Sequence, residues 1–321
     1  MKKVVFAGAA LLFAVLVNGQ EIKRDSVSQL VNNTELPVEV VIPVINPKSV
    51  IVEAVSATMS KGAKPGFQVD IPEVASDQIE KNLQNSIRNK TKSKVVKTNN
   101  EFSVQGTLLT AISDKPLDVY ALLTKMDSSV RVVFFFEQDS VFIEESVDAH
   151  KANLSREYAR TFAVNQYKEH TQNRIKAENN KLESQEKELR KLMDQNQGMH
   201  TDIKKLEADI NNANMDIKVN VGAQDIKIKE IYKQKELITT IKEKETKKTA
   251  EKVLADMNKE NKKLRDENES LNKKIVKSRA EIESIKEKIR NNLEDQYLKK
   301  QAISKQRGYI RGLEAMVDKI R

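Results

Sequence analysis

The stretch "DIKVNVGAQDIKIKEI", Asp216 to Ile231, decides how the chain folds. Its apolar residues alternate with polar ones: Ile217, Val219, Val221, then Ile226 and Ile228, with Gly222 near the centre. On either side apolar residues instead recur every three or four positions. A period of two suits a strand and a period of three and a half suits a coiled coil. Between two heptad runs, such a break predicts a reversal near residues 217–226, with the runs folding onto each other as an antiparallel coiled-coil hairpin.

The first run carries Ile175, Leu182, Leu189, Asn196, Ile203, Ile210 and Ile217 every seven residues, with Leu192, Met199, Leu206 and Ala213 beside them. The second carries Leu254, Asn261, Asn268, Ile275, Ile282 and Ile289, with Met257, Leu264, Leu271 and Ile285. Patterning this sustained is a specific coiled-coil signal. Folded about Gly222, Ile203 meets Ile241, Leu206 meets Ile238 and Ala213 meets Ile231. After a two-residue phase shift inside "KEKETKKTAEK", residues 242–252, Leu182 meets Leu264 and Ile175 meets Leu271. Polar positions then align as well, Gln185 with Asn261 and Glu178 with Asn268, as buried polar groups require. The competing reading is one straight helix, its register running through Gly222 to Ile231 and Ile238, in a parallel homodimer. The hairpin leaves the heptads through Ile289, Ile310 and Val317 to pair with the root of the arm, the globular domain or a second copy. It places Val219, Val221, Ile226 and Ile228 at an exposed tip, as candidate partner contacts.

Upstream, "VIVEAVSATM" and "GFQVDI" read as strands around the turn "SKGAKP". "SDQIEKNLQNSIRNK" reads as an amphipathic helix capped by Ser76, with Ile79, Leu83 and Ile87 on one face. "EFSVQGTLL", "LDVYALLTK", "VRVVFFFEQ" and "SVFIEE" continue the strands, with "MDSS" and "QDS" as turns. The expectation is a small antiparallel α+β domain over 50–147. Phe134, Phe135 and Phe136 put rings on both faces of one strand, which predicts a central strand at least partly covered on both sides. From about Asp148 the pattern is helical, and Tyr158, Phe162 and Tyr167 are expected to pack its start on the sheet. The arm occupies 148–321.

The N-terminus, "MKKVVFAGAALLFAVLVNGQ", has a basic start, a short apolar run and small residues at Val17 and Gly19. This pattern predicts a signal peptide over 1–19 and export to the periplasm or cell envelope. Residues 20–49 form a linker with one strand-like piece, "VEVVIPVI". The apolar run is shorter than the roughly 20 residues of a spanning helix, so no transmembrane segment is expected in the mature chain. The chain has no Cys, which excludes disulfides and thiol chemistry.

From Ile226 to Arg321, 27 Lys and Arg stand against 17 Asp and Glu, so the second helix is basic. Lys262, Lys263, Arg265, Lys273, Lys274, Lys277 and Arg279 are candidate polyanion contacts, for anionic envelope surfaces more than nucleic acid, since aromatics for base stacking are missing. Interspersed acids make a solvated helix face the simpler reading. His150, His170 and His200 have no neighbour at metal-ligand spacing. No phosphate-binding loop, nucleophile elbow or zinc-protease motif occurs, so no catalytic, metal or cofactor residue is assigned.

"MSKGAKPGFQVDIPE", "ISDKPLDVYALLTK", "VRVVFFFEQDSVFIEES" and "YARTFAVNQYKEHTQNRIKAENNKLESQEKELRKL" resemble an uncharacterised family of secreted Bacteroidota proteins. The resemblance covers about 56–192 and, more loosely, 257–321. Residues 194–256 depart from it as an extension of the arm. It implies a small β-rich domain followed by a Lys/Glu-rich helix, an envelope location and no catalytic residue. The expected function is an exported, non-enzymatic structural or interaction protein with a protein partner, a second copy being one candidate. The alternative is a periplasmic holdase or polyanion binder using the basic helix.

Overall fold

The computed structural model describes residues 39–321. The expected signal peptide and the first part of the linker lie outside the described residues.

An antiparallel sheet forms the body. Its strands are β1 (Val52–Met59), β2 (Gly62–Pro72), β3 (Val96–Thr98), β4 (Glu101–Thr107), β5 (Leu117–Lys125), β6 (Ser129–Gln138) and β7 (Val141–Phe142), in the order β1-β2-β6-β5-β4-β3, with β7 also on β6. Helix α1 (Ser76–Ile87) buries Ile79, Leu83 and Ile87, the face read from the sequence. Its N-cap is Ala75 without a side-chain bond, so Ser76 begins the helix and does not cap it.

The turn from β1 to β2 is tighter than expected. Met59 pairs with Gly62, which leaves only Ser60 and Lys61 between the strands. Gly62 takes φ 89°, a value open to glycine. Between β6 and β7, Asp139 and Ser140 both take positive φ, as a two-residue hairpin turn with right-handed strand twist demands.

β6 lies between β2 and β5, and its three phenylalanines divide between the faces as the sequence implied. Phe134 and Phe136 point into the main core, where Tyr158 and Phe162 meet them edge-on at centroid distances of 5.4–5.7 Å. Phe135 points to the other face and is still fully buried. Its ring lies across Gly66, where an added Cβ would come within 2.9 Å of it. Met59, Tyr120 and Val133 close around that ring. Lys61 seals the cluster from outside: its amine sits 4.9 Å from the Tyr120 centroid and donates to Glu137 at 2.5 Å.

Two long helices follow, α2 (Ala149–Thr240) and α3 (Lys244–Val317). Asp148 starts α2 by accepting from the Lys151 N–H at 2.9 Å. The first turns of α2 bury Ala152, Ala159, Phe162, Ala163 and Tyr167 against the sheet. The chain then leaves the body, reverses, and returns along α2. The end of α3 delivers Leu313 and Met316, and Ile320 just beyond it, into the same core. The fold is therefore an α+β body with an antiparallel helical hairpin, and both roots of the hairpin are set in the body.

The reversal is not at Gly222. It is the three residues Ile241–Glu243, and 217–226 is uninterrupted helix. "ELITTI" sets this stop. Thr239 and Thr240 are β-branched, which disfavours helix, and their hydroxyls bond back to the carbonyls of Glu236 and Leu237 at 2.6 and 2.8 Å. They satisfy carbonyls that a helix end leaves open. Glu243 restarts the helix, its carboxylate accepting from the Thr246 hydroxyl at 2.6 Å.

Every cross-arm pairing built on Gly222 moves accordingly. Ile203 clusters with Ile282 and Ile289, not Ile241. Asn196 donates to Asn292, Gln306 donates to Glu178, and Gln234 donates to the Ala250 carbonyl. The late heptads that lacked a partner are paired with the proximal half of α2 and with the body.

Candidate interaction surface

The arm's inner seam follows the a and d lines read from the sequence. On α2 the half-buried and buried positions run Ile203, Leu206, Ile210, Ala213, Ile217, Asn220, Ala223, Gln224, Lys227, Ile231, Gln234 and Ile238 without a break. This is the register that passes through Gly222. The seam mixes apolar and polar layers along its length. Met199, Ile203, Leu206, Ile210, Ile282, Ile285 and Ile289 form one apolar cluster. Gln185 nearer the body and Gln224 and Asn268 farther out each bury a side-chain atom without a protein partner, and Lys227 reaches across to Glu260 at 3.0 Å.

The four candidate tip residues lie in the last quarter of α2, 12 to 21 residues before its last residue, Thr240. They face outward: Val219 is 71% exposed, Ile226 62%, Val221 45% and Ile228 39%. Met215, 67% exposed, joins them. Their exposure matches the sequence reading, but the cause differs. They sit outside the heptad seam rather than in a loop. The actual turn presents Leu237, exposed, and Lys242, Glu243 and Lys244 around it.

The seven basic candidates on α3 are all exposed. Counted from the seam line Leu254, Asn261, Asn268 and Ile275, half-buried to buried, they occupy five different heptad positions and so point around the helix, not along one stripe. Acids pair with some of them. Lys273 meets Glu269 at 2.7 Å, and this contact holds the Glu269 carboxyl below its ordinary range and the Lys273 amine above it. Lys263 meets Glu267 at 3.8 Å.

A second surface was missed in the sequence. The segment from Glu39 to Ile45, part of the expected linker, lies along the last turns of α3. Ser304 donates to the Glu39 carbonyl at 3.0 Å, the Val41 carbonyl faces Gly308, and the Pro43 carbonyl faces Gly312. Four residues of helix rise about 6 Å, and two residues of extended chain advance about 6.6 Å. Small residues every four positions on α3 therefore meet alternate carbonyls of an extended strap. Val41, Ile42 and Val44 stay exposed on it. The readable signal was "SKQRGYIRG", with Ser304, Gly308 and Gly312 on one face.

Charged groups also gather where the arm leaves the body. Glu73 accepts from Lys48 at 3.3 Å and Arg174 at 3.4 Å, and Arg174 also donates to the Tyr309 hydroxyl. His170 stands nearby, and burial pushes its pKa below the ordinary value. Among the described residues no three His, Asp or Glu side chains gather as metal ligands, and no helix is long and apolar enough to cross a membrane. The chain matches no family model, no curated protein and no solved structure.

Proposed function

We propose that this is an exported, non-enzymatic interaction protein of the cell envelope, which holds a coiled-coil arm out from an α+β body to meet protein partners. From about Lys176 to Thr240 the arm extends roughly 100 Å at 1.5 Å per residue. Anchoring both helices in the body core makes the arm a rigid lever, not a tether.

The observation that carries the reading is the outward apolar group Met215, Val219 and Ile226 on one stripe. Single exposed apolar residues are ordinary, but a contiguous set on a charge-rich arm marks a contact surface. The spread of basic residues around α3 favours solvation over a polyanion groove, so the holdase or polyanion reading takes second place. The signal-peptide pattern and the resemblance to secreted proteins support the envelope location.

The test is cell fractionation of the tagged chain, combined with a photo-crosslinking residue at Val219 and, as control, at Lys262. Envelope recovery with discrete adducts from Val219 alone is expected. Cytoplasmic retention, or adducts equal at both positions, would overturn the reading.

A further inference from the structure

Over residues 213–228, α2 is apolar on two sides. Its seam carries Ala213, Ile217 and Ala223 beside Asn220, Gln224 and Lys227, while Met215, Val219 and Ile226 face away. The helix cannot rotate to bury these three, because Ile203 and Ile210 before it and Ile231 and Ile238 after it hold the seam. Charge is lopsided too. These sixteen residues of α2 carry only Asp216, Lys218, Asp225 and Lys227, whereas residues 258–274 of α3, at the level of the Lys227–Glu260 bridge, carry ten charged side chains. A helix apolar on its outer face as well as within its seam belongs in a bundle with more helices than this hairpin supplies.

We propose that a second copy of this chain covers the band, two α2 helices packing antiparallel across a two-fold axis at Gly222. This rests on reading the arm as an interaction element, and it names the partner. Met215, Val219, Gly222 and Ile226 form one stripe at i, i+4, i+7 and i+11. A mid-helix glycine destabilises relative to alanine, and nothing within its own chain requires Gly222: an added Cβ would meet no atom within 4 Å. At a crossing point it lets two backbones approach.

Charge selects the occupant and its direction. Lys218 and Asp225 are seven residues apart on the same edge of the stripe. In an antiparallel pair centred on Gly222, each Lys218 lies within one residue's rise of the other copy's Asp225 on the same edge, twice by symmetry, and each Val219 lies within one residue's rise of Ile226. In a parallel pair the two-fold axis brings opposite edges of the stripe together, so Lys218 would not meet the other copy's Asp225. The surface is self-complementary only in the antiparallel sense, as a closed two-fold contact requires. The two bodies then sit at opposite ends of the dimer.

The test uses the purified full chain in sedimentation at micromolar concentration. Wild type is expected to dimerise. Val219→Asp with Ile226→Asp should give monomer with unchanged far-ultraviolet helicity. Lys218→Glu should weaken the dimer about tenfold, by turning two attractive pairs repulsive, and adding Asp225→Lys should restore it. Because the chain has no Cys, Gly222→Cys should oxidise to a covalent dimer, while Lys262→Cys should not. A wild-type monomer, or a charge swap that fails to restore association, overturns the proposal. If the chain is monomeric while Val219 still crosslinks to another protein in cells, self-pairing falls and the interaction reading stands.

Discussion

Gly308→Ala separates two opposing effects that the structure assigns to different glycines. In an exposed helix interior, Gly→Ala stabilises by about 0.5–1 kcal/mol, because alanine restricts the unfolded chain and favours helix. Gly198 fits that case: it is exposed in α2, and an added Cβ would meet nothing within 4 Å. At Gly308 the same Cβ would stand 2.1 Å from the Val41 carbonyl oxygen and 3.1 Å from its carbon. The obstacle is backbone, so no rotamer change relieves it, and the strap must move by more than 1 Å or lift off. Overpacking of this kind costs about 1–3 kcal/mol, more than the propensity gain. Gly308→Ala should therefore melt lower than wild type while Gly198→Ala melts higher. Each kcal/mol corresponds to roughly 2–4 °C in a chain of this size class. Limited proteolysis supplies the second readout: only Gly308→Ala should expose the bonds near Val41 to early cleavage. If Gly308→Ala melts as high as Gly198→Ala and its strap stays protected, the strap does not lie on α3.

The turn at Ile241–Glu243 predicts that cysteines replacing Asn196 and Asn292, whose side chains touch, form an internal disulfide on oxidation. Cysteines replacing Leu182 and Leu264 should not, since those positions lie roughly 60 Å apart along the arm at 1.5 Å per residue; a denaturing gel distinguishes the outcomes. Ile289→Ala, at a buried seam position, should lose about 2–5 kcal/mol in denaturant titration, against about 0.5 kcal/mol or less for the exposed Val276→Ser. Asp70 receives two hydrogen bonds from Arg131, at 2.7 and 2.9 Å, and this contact holds its carboxyl below the ordinary 3.8. A depressed carboxyl contributes stability above its unfolded pKa and loses it as pH falls through the folded one. Asp70→Asn should therefore flatten the fall in stability below about pH 4 and lower stability at pH 7 by about 1 kcal/mol or less; equal slopes for the two proteins would contradict the pair.

Much of the body was legible because local pattern and tertiary role agree there. Alternation gave the strands, the phenylalanine triplet gave the two-sided β6, and the spacing of Ile79, Leu83 and Ile87 gave α1. The heptad lines of both arm helices were legible for the same reason. The turn was not. It contains no glycine or proline, the residues that punctuate chains most clearly, and Gly222 offered a stronger signal inside an alternating stretch. Yet the chain left a trace of its real reversal. The two-residue phase shift between the heptad lines falls within 242–252, beside the three-residue turn that causes it. The strap was illegible for a different reason: its contacts run through backbone carbonyls, and side-chain pattern does not report them. Only the four-residue spacing of Ser304, Gly308 and Gly312 on the opposite surface did.

The alternation at 216–231 then needs a cause other than a turn. On a helix, residues two apart point about 200° from each other, so Ile217, Val219 and Val221 cannot all face one neighbour. Ile217 belongs to the seam with α3, Val219 to the outer stripe, and Val221 to the flank between them. A period of two on a helix means that opposite sides are apolar at the same level. The proximal arm has no such feature: its apolar residues are concentrated in the seam around Ile203, Ile282 and Ile289, where they stabilise the pairing alone. In the distal arm the seam holds Gln224 and Asn268, each with a buried unpartnered atom, as Gln185 has nearer the body, and each such atom costs about 1–3 kcal/mol in desolvation. What sets the distal arm apart is therefore its outer side. A second helix across the outer stripe would bury Met215, Val219 and Ile226, which the hairpin leaves exposed, so the same sixteen residues carry both a seam to α3 and a surface for a further helix.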